Sequence, residues 1–167
     1  MKTSLTTVPL FAAAILLSTL PAATAAPSSG FTPAEQKLLA AVSPGYQASD
    51  CVPASTAGKK LMLAAIICTN DSAGFPDRTQ YTLYASEADL DKAFDSTMAV
   101  DVAEPNCAGH PNPSTWGRGQ IKNLGRIGCG TYKGKSEVLW TNSSTLVLSI
   151  AQGQDIGGLI DWWTSKG

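Results

Sequence analysis

The chain has 167 residues, with 12 basic and 13 acidic side chains, one histidine and four cysteines, for a formal charge of −1 at pH 7. That balance excludes a partner captured by bulk charge alone, whether nucleic acid or an anionic membrane. The length suits one domain behind a short leader, and a single histidine excludes any site that needs two.

Residues 1–25 read as a secretory signal peptide: a lone Lys2, an apolar run from Leu10 to Leu20, and the small residues Ala23, Thr24 and Ala25 before the cut. The run is shorter than the ~20 apolar residues of a membrane span. Cleavage is expected after Ala25, because Pro27 would sit poorly in a protease subsite if the cut followed Ala26. No cysteine stands near the cut to carry a lipid anchor. The expected product is secreted, extracellular or cell-wall associated, with no membrane span. Residues 26–31 form a flexible lead-in, and residues 32–167 a single α+β domain.

In "FTPAEQKLLAAVSPG", Thr32 is an N-cap, Pro33 takes the first helical position and Glu35 closes a capping box. Leu38, Leu39 and Val42 share a side, and Pro44-Gly45 stops a helix of about three turns. "KKLMLAAIICTN" is an apolar run that suits a buried strand, and "RTQYTLYAS" alternates on a β-branched and aromatic background. The Gly, Pro and Asp of "DSAGFPD" between them predict a hairpin.

"SEADLDKAFDSTMA" predicts a second helix, with Ser86 and Asp89 at capping-box spacing and Leu90, Phe94, Thr97 and Met98 as its apolar stripe. Asp89, Asp91 and Asp95 lack the loop glycine and closing glutamate of a calcium-binding EF-hand and read as a solvated face. "LGRIGCGTYKGKSEVLWTNSSTLVLSIAQ" divides at Lys133-Gly134 and Asn142-Ser143-Ser144 into a three-stranded meander. In "DIGGLIDWWTSKG", Ile156, Leu159, Ile160 and Trp163 share a helical face, which leaves Trp162 off the stripe. The expected order is α-β-β-α-β-β-β-α: an antiparallel five-stranded sheet with helices packed on one face.

Between the second helix and the meander lies "NCAGHPNPSTWGRGQIKNLGRIGCG", residues 106–130, which holds the lone His110, Trp116, Cys107 and Cys129. A nucleophilic cysteine needs a free thiol and a rigidly held base, and two prolines and a glycine around His110 predict an irregular turn instead. Zinc is disfavoured because no Cys-x-x-Cys pair is present. An even cysteine count in an oxidising compartment predicts disulfides. Of three pairings, the sequential one is expected, Cys51 with Cys68 and Cys107 with Cys129, each worth ~3 kcal/mol on the chain-entropy account. The 106–130 stretch then becomes a stapled loop that presents Trp116 and His110. No cofactor or metal is predicted.

Cys51, Cys68, "YTLYAS" ahead of an amphipathic helix, Cys107, "GRIGCG", "VLWTNSSTLVLSIAQ" and the terminal "LIDWW" together resemble a small secreted disulfide-containing domain of actinobacteria. The same domain forms the extracellular part of some membrane serine/threonine protein kinases of these bacteria. The resemblance implies an extracytoplasmic binding or sensing module. Its partner would be a cell-wall polymer or another extracytoplasmic protein.

Strict alternation sends Tyr81, Leu83, Ile127, Cys129, Val138, Trp140, Leu146, Leu148 and Ile150 to one face of the sheet. Gln80, Thr82, Tyr84, Arg126, Tyr132, Leu139, Thr141 and Val147 go to the other. Tyr84, Arg126, Tyr132 and Leu139, bordered by Trp116, make a candidate binding surface in which aromatics give contact area and arginine gives direction; a first helix lying over that face is the competing arrangement. Arg118, Lys122, Arg126, Lys133 and Lys135 follow one another without an intervening acid, suiting an anionic polymer or plain solvent. Two alternative functions remain: a carboxylate-dependent hydrolase, for which Glu104, Glu137, Asp155 and Asp161 are the available acids though not visibly paired, and a secreted inhibitor or interaction protein.

Overall fold

The computed structural model describes residues 30–167. The leader and most of the lead-in lie outside the described residues. The chain runs through α1 (Pro33–Leu39), β1 (Cys51–Pro53), β2 (Met62–Cys68), β3 (Arg78–Tyr84), α2 (Glu87–Met98), β4 (Val102–Ala103), β5 (Asn106–Cys107), β6 (His110–Pro111), β7 (Ser114–Arg118), β8 (Ile121–Tyr132), β9 (Lys135–Asn142), β10 (Val147–Gly153) and α3 (Ile156–Lys166). The fold is α+β, and its main sheet is antiparallel in order β1-β2-β3-β10-β9-β8-β4, with β7 also pairing to β8.

The sheet has eight strands rather than five, and a two-stranded ribbon, β5 with β6, stands beside it. The strands missed from sequence are β1, at Cys51, and the short pieces β4 to β7 in and just before the 106–130 stretch, all of two to five residues and too short for alternation to show. Both expected disulfides are formed, Cys51 with Cys68 and Cys107 with Cys129. The β2–β3 hairpin is present, and in the wider pairing β10 lies between β3 and β9.

Helices cover both faces of the sheet, not one. On the first face Leu38 of α1 and Leu159 and Trp162 of α3 join Ile66, Tyr81, Ile127, Val138, Trp140 and Val147 in the larger core. Tyr81 lies edge-on to Trp140 at 6.4 Å, and its hydroxyl donates to Ser43 Oγ at 2.9 Å, tying the exit of α1 to the sheet. On the second face Leu90 and Phe94 of α2 pack with Tyr84, Leu139 and Leu148. The chain must travel from β3, inside the sheet, to β4 at its far edge, and α2 makes that crossing over the second face.

The Thr32–Glu35 capping box forms as expected, but α1 has seven residues, about two turns, because the Ala41 amide bonds back to the Leu38 carbonyl and tightens the end. In β10 the alternation is inverted: Val147 and Ala151 belong to the first face, whereas Leu148 and Ile150 belong to the second. Leu146, at φ +58°, is a left-handed turn residue, so the pleat restarts at Val147 and every later side chain changes face. Trp162, expected off the buried stripe, is 4% exposed and packs against Tyr46, Phe75 and Trp140, while Trp163 is only half-buried.

The docking of α2 depends on bare backbone in "GRIGCG". Ile127 and Cys129 fill the first core, so Gly128 and Gly130 fall on the second face, where a Cβ at Gly128 would lie 2.4 Å from Met98 Sδ and one at Gly130 2.8 Å from Asp101 Cβ. Side chains there would hold the helix away. Gly128→Val is accordingly expected to destabilise the fold by about 1–3 kcal/mol in urea unfolding, the usual cost of overpacking; an unchanged midpoint would show that α2 does not sit in close contact with β8.

Candidate functional site

The candidate surface read from the sequence is divided by α2. Tyr84 and Leu139, expected to be exposed, are 2% and 0% exposed beneath it. The helix that covers them is α2, not the first helix of the competing arrangement. Burial pushes the Tyr84 phenol up to about 12. Arg126 stacks over the Phe94 ring at 4.3 Å and pairs with Asp95 at 2.7 Å and Asp91 at 3.7 Å, so two acids of the solvated face, both still largely exposed, also hold an arginine. Trp116 lies on β7, where its ring meets Trp163 of α3 on the opposite side of the sheet. Tyr132 lines a cleft on the second face.

That cleft, about 340 Å³, opens where α2 ends, and its walls include Arg78, Gln80, Asp101, Tyr132, Glu137 and Gln152. Strand register builds it. Arg78 on β3 stands opposite Gln152 on β10, Gln152 opposite Glu137 on β9, and Glu137 opposite Gly130 on β8, in one row across four strands. The row ends in glycine, and Asp101, just past α2, takes the vacant place. Val100, 64% exposed, lines the same cleft.

The carboxyl groups of Asp101 and Glu137 lie close enough in the cleft for each to act on the other's ionisation. Glu137 is 3% exposed, and both Asp101 carboxyl oxygens are shielded from solvent with no amide, hydroxyl or cationic donor reaching them. Two buried carboxylates so placed disfavour one another's ionised form. Burial, first, raises both groups above the ordinary carboxylate range. For Glu137 the Gln152 Nε2 donor and the charge of Arg78 oppose that rise, while the charge of Asp101 adds to it. Arg78 is steadied by a 3.0 Å bond from its Nη2 to Gln80 Oε1, and Gln80 in turn donates to Thr82 Oγ1 at 3.2 Å.

Of the acids considered for hydrolysis, only Glu137 acquires a carboxyl partner in this cleft, and its partner, Asp101, escaped the sequence reading. A signal was available: a carboxylate just beyond a helix C-terminus opposes the negative end of the helix dipole, so its position needs another reason. Asp155 instead caps α3 by accepting from the Gly158 amide at 2.7 Å. His110 is exposed on β6, and all four cysteines are in disulfides, which leaves no free thiol among the described residues for a cysteine nucleophile. Among the described residues no three His, Cys, Asp or Glu side chains gather as a metal site, and no helix is long and apolar enough to cross a membrane. No protein-family model matches the chain, and neither a curated protein nor a solved structure does.

Because both folded acids are raised, the folded state binds more protons than the unfolded chain between the ordinary carboxylate range and the raised values. The pair therefore favours folding at low pH and loses that contribution as pH rises through the raised values. Glu137→Gln keeps an acceptor for Gln152 and supplies a permanent donor to Asp101. Relative to the unsubstituted chain it is expected to gain stability steadily from about pH 4 to pH 7 in denaturant unfolding; a difference that does not change with pH would dismiss the upward shift of the pair.

Proposed function

We propose that the protein is a secreted, non-catalytic binding or sensing module of the extracytoplasmic space, and that a small polar ligand occupies the cleft at the end of α2. The row Arg78–Gln152–Glu137, closed by Asp101, carries this reading. A guanidinium at one end offers paired donors to an anionic group, and the side-chain amides of Gln80 and Gln152 beside it offer both donor and acceptor. A few convergent polar groups in a concave, partly apolar site are what a small-molecule site requires. Two disulfides suit an oxidising compartment, and the likeness to kinase extracellular domains supports sensing over transport or catalysis.

A carboxylate-dependent hydrolase is the second reading, favoured by the pair itself. Its geometry argues against glycoside cleavage, which needs carboxyl groups about 5–9.5 Å apart to admit a sugar and a water. Here Glu137 is buried and both Asp101 oxygens are shielded from solvent, so neither acid is open to a sugar and a water. An inhibitor or interaction protein draws no support from this cleft.

A thermal-shift screen of small anionic and zwitterionic compounds tests the proposal. A true ligand at 100 times its Kd stabilises by about 2.7 kcal/mol, a rise of several degrees for a domain of this size. The expected result is a rise in the unsubstituted protein that Arg78→Met abolishes. An equal rise in Arg78→Met would place the ligand elsewhere, and turnover of the bound compound would favour the hydrolase.

A further inference from the structure

A second concavity lies on the opposite face of the sheet, about 520 Å³ in volume, bounded by the β7–β8 hairpin, the loop held by Cys107–Cys129 and the side of α3. We propose that it binds an acidic glycan, with sugar rings against Trp116 and Trp163 and a sugar carboxylate at Lys122. This site is separate from the cleft at the end of α2 and does not depend on it.

The walls are held before any ligand arrives. Trp116 Nε1 donates to the Thr141 carbonyl at 2.8 Å, and the Trp116 ring meets Trp163 edge-on at 5.6 Å. Pairing between β7 and β8 slips between Trp116 and Arg118, at Gly117, where a Cβ would lie 2.3 Å from the Ile121 carbonyl. Such a slip redirects the side chains beside it. The other wall, Ala108 to His110, follows the disulfide-bonded Cys107. Asn112 braces it, its Nδ2 donating to the Glu104 and Cys129 carbonyls at 2.6 and 2.7 Å and its Oδ1 accepting from the Cys129 amide at 3.0 Å. Side chains fixed in advance lose little entropy on binding.

Charge selects the ligand. The groove is lined by no aspartate or glutamate, while Lys122 and His110 both border it. In the run of five bases from Arg118 to Lys135, Arg126 and Lys135 are neutralised by acids, Arg118 donates to the Gly167 carbonyl and Lys133 lies over the Tyr132 ring. Lys122 belongs to none of the ion pairs among the described residues, so its charge is available to a ligand. One lysine on an aromatic floor is too sparse for a phosphodiester polymer, which is gripped by rows of cations. It fits a carboxylate borne on a sugar ring, whose C–H face lies on indole and whose hydroxyls reach polar edges such as Asn123 and Thr164.

The test titrates the protein with hexasaccharides of galacturonate and of glucuronate, with a neutral galactose hexasaccharide as comparison, reading tryptophan fluorescence and calorimetric heat. The expected result is saturable binding of an acidic oligomer that weakens with added salt and falls roughly tenfold in Lys122→Glu. Arg78→Met should bind it as the unsubstituted chain does. Lys122 is exposed on the hairpin, and an unchanged unfolding midpoint in Lys122→Glu verifies that the variant is folded. Absence of binding by both acidic oligomers, equal binding of the neutral one, undiminished affinity in Lys122→Glu, or preference for a proline-rich or acidic peptide would each overturn the proposal.

Discussion

Two missing side chains on β8 set the geometry of the second face. Gly128 and Gly130 leave backbone where Phe94, Met98 and Asp101 come to rest. Without that strip α2 could not reach β8 and β9, and the second core of Tyr84, Leu90, Phe94, Leu139 and Leu148 would lose its cover. The same strip allows Arg126, on the adjoining part of β8, to stack on Phe94 while it pairs with Asp91 and Asp95, one turn apart on α2. Ile127 and Cys129, between and beside the glycines, fill the first core. One strand thus serves two layers, with bulk toward α1 and α3 and, at Gly128 and Gly130, bare backbone toward α2.

The polar cleft is the electrostatic consequence of that packing. As α2 ends against Gly130, Asp101 is delivered to Glu137, where burial makes two negative charges too costly. Burial pushes both carboxyls toward their protonated forms, and the charge of Arg78 opposes that shift at Glu137. The arrangement costs stability when the pair is forced to ionise, so a role in recognition gives it a reason that packing alone does not. The aromatic groove stands on a different base, since its walls are set by a disulfide, an asparagine brace and a break in strand register rather than by α2.

What could be read from the sequence followed the range of the interaction involved. The Thr32–Glu35 box, the Ser86 cap, the β2–β3 hairpin and both cysteine pairings came from neighbours in sequence or from strong periodicity, and all are present. The inversion of β10 came from one turn residue, Leu146, whose left-handed backbone is unusual for a bulky side chain and leaves no trace in composition. Tyr84 and Leu139 were assigned to the correct face, but alternation says nothing of what covers a face, and the crossing from β3 to the far edge that brings α2 over them is a matter of topology. The Asp101–Glu137 pair is separated by 36 positions and brought together by the end of α2 and the register of β8 with β9, so no local pattern announces it.

The most direct test of the account is the proton itself. With side-chain carboxyl carbons labelled by ¹³C, an NMR titration of the protein should show Asp101 and Glu137 releasing protons in two coupled steps, with one proton still held by the pair after the exposed carboxylates have ionised. In Gly130→Val, which separates the two, the coupling should vanish. If Asp101 and Glu137 instead titrate independently within the ordinary carboxylate range, the pair is not in contact, and the glycine strip does not build the cleft described.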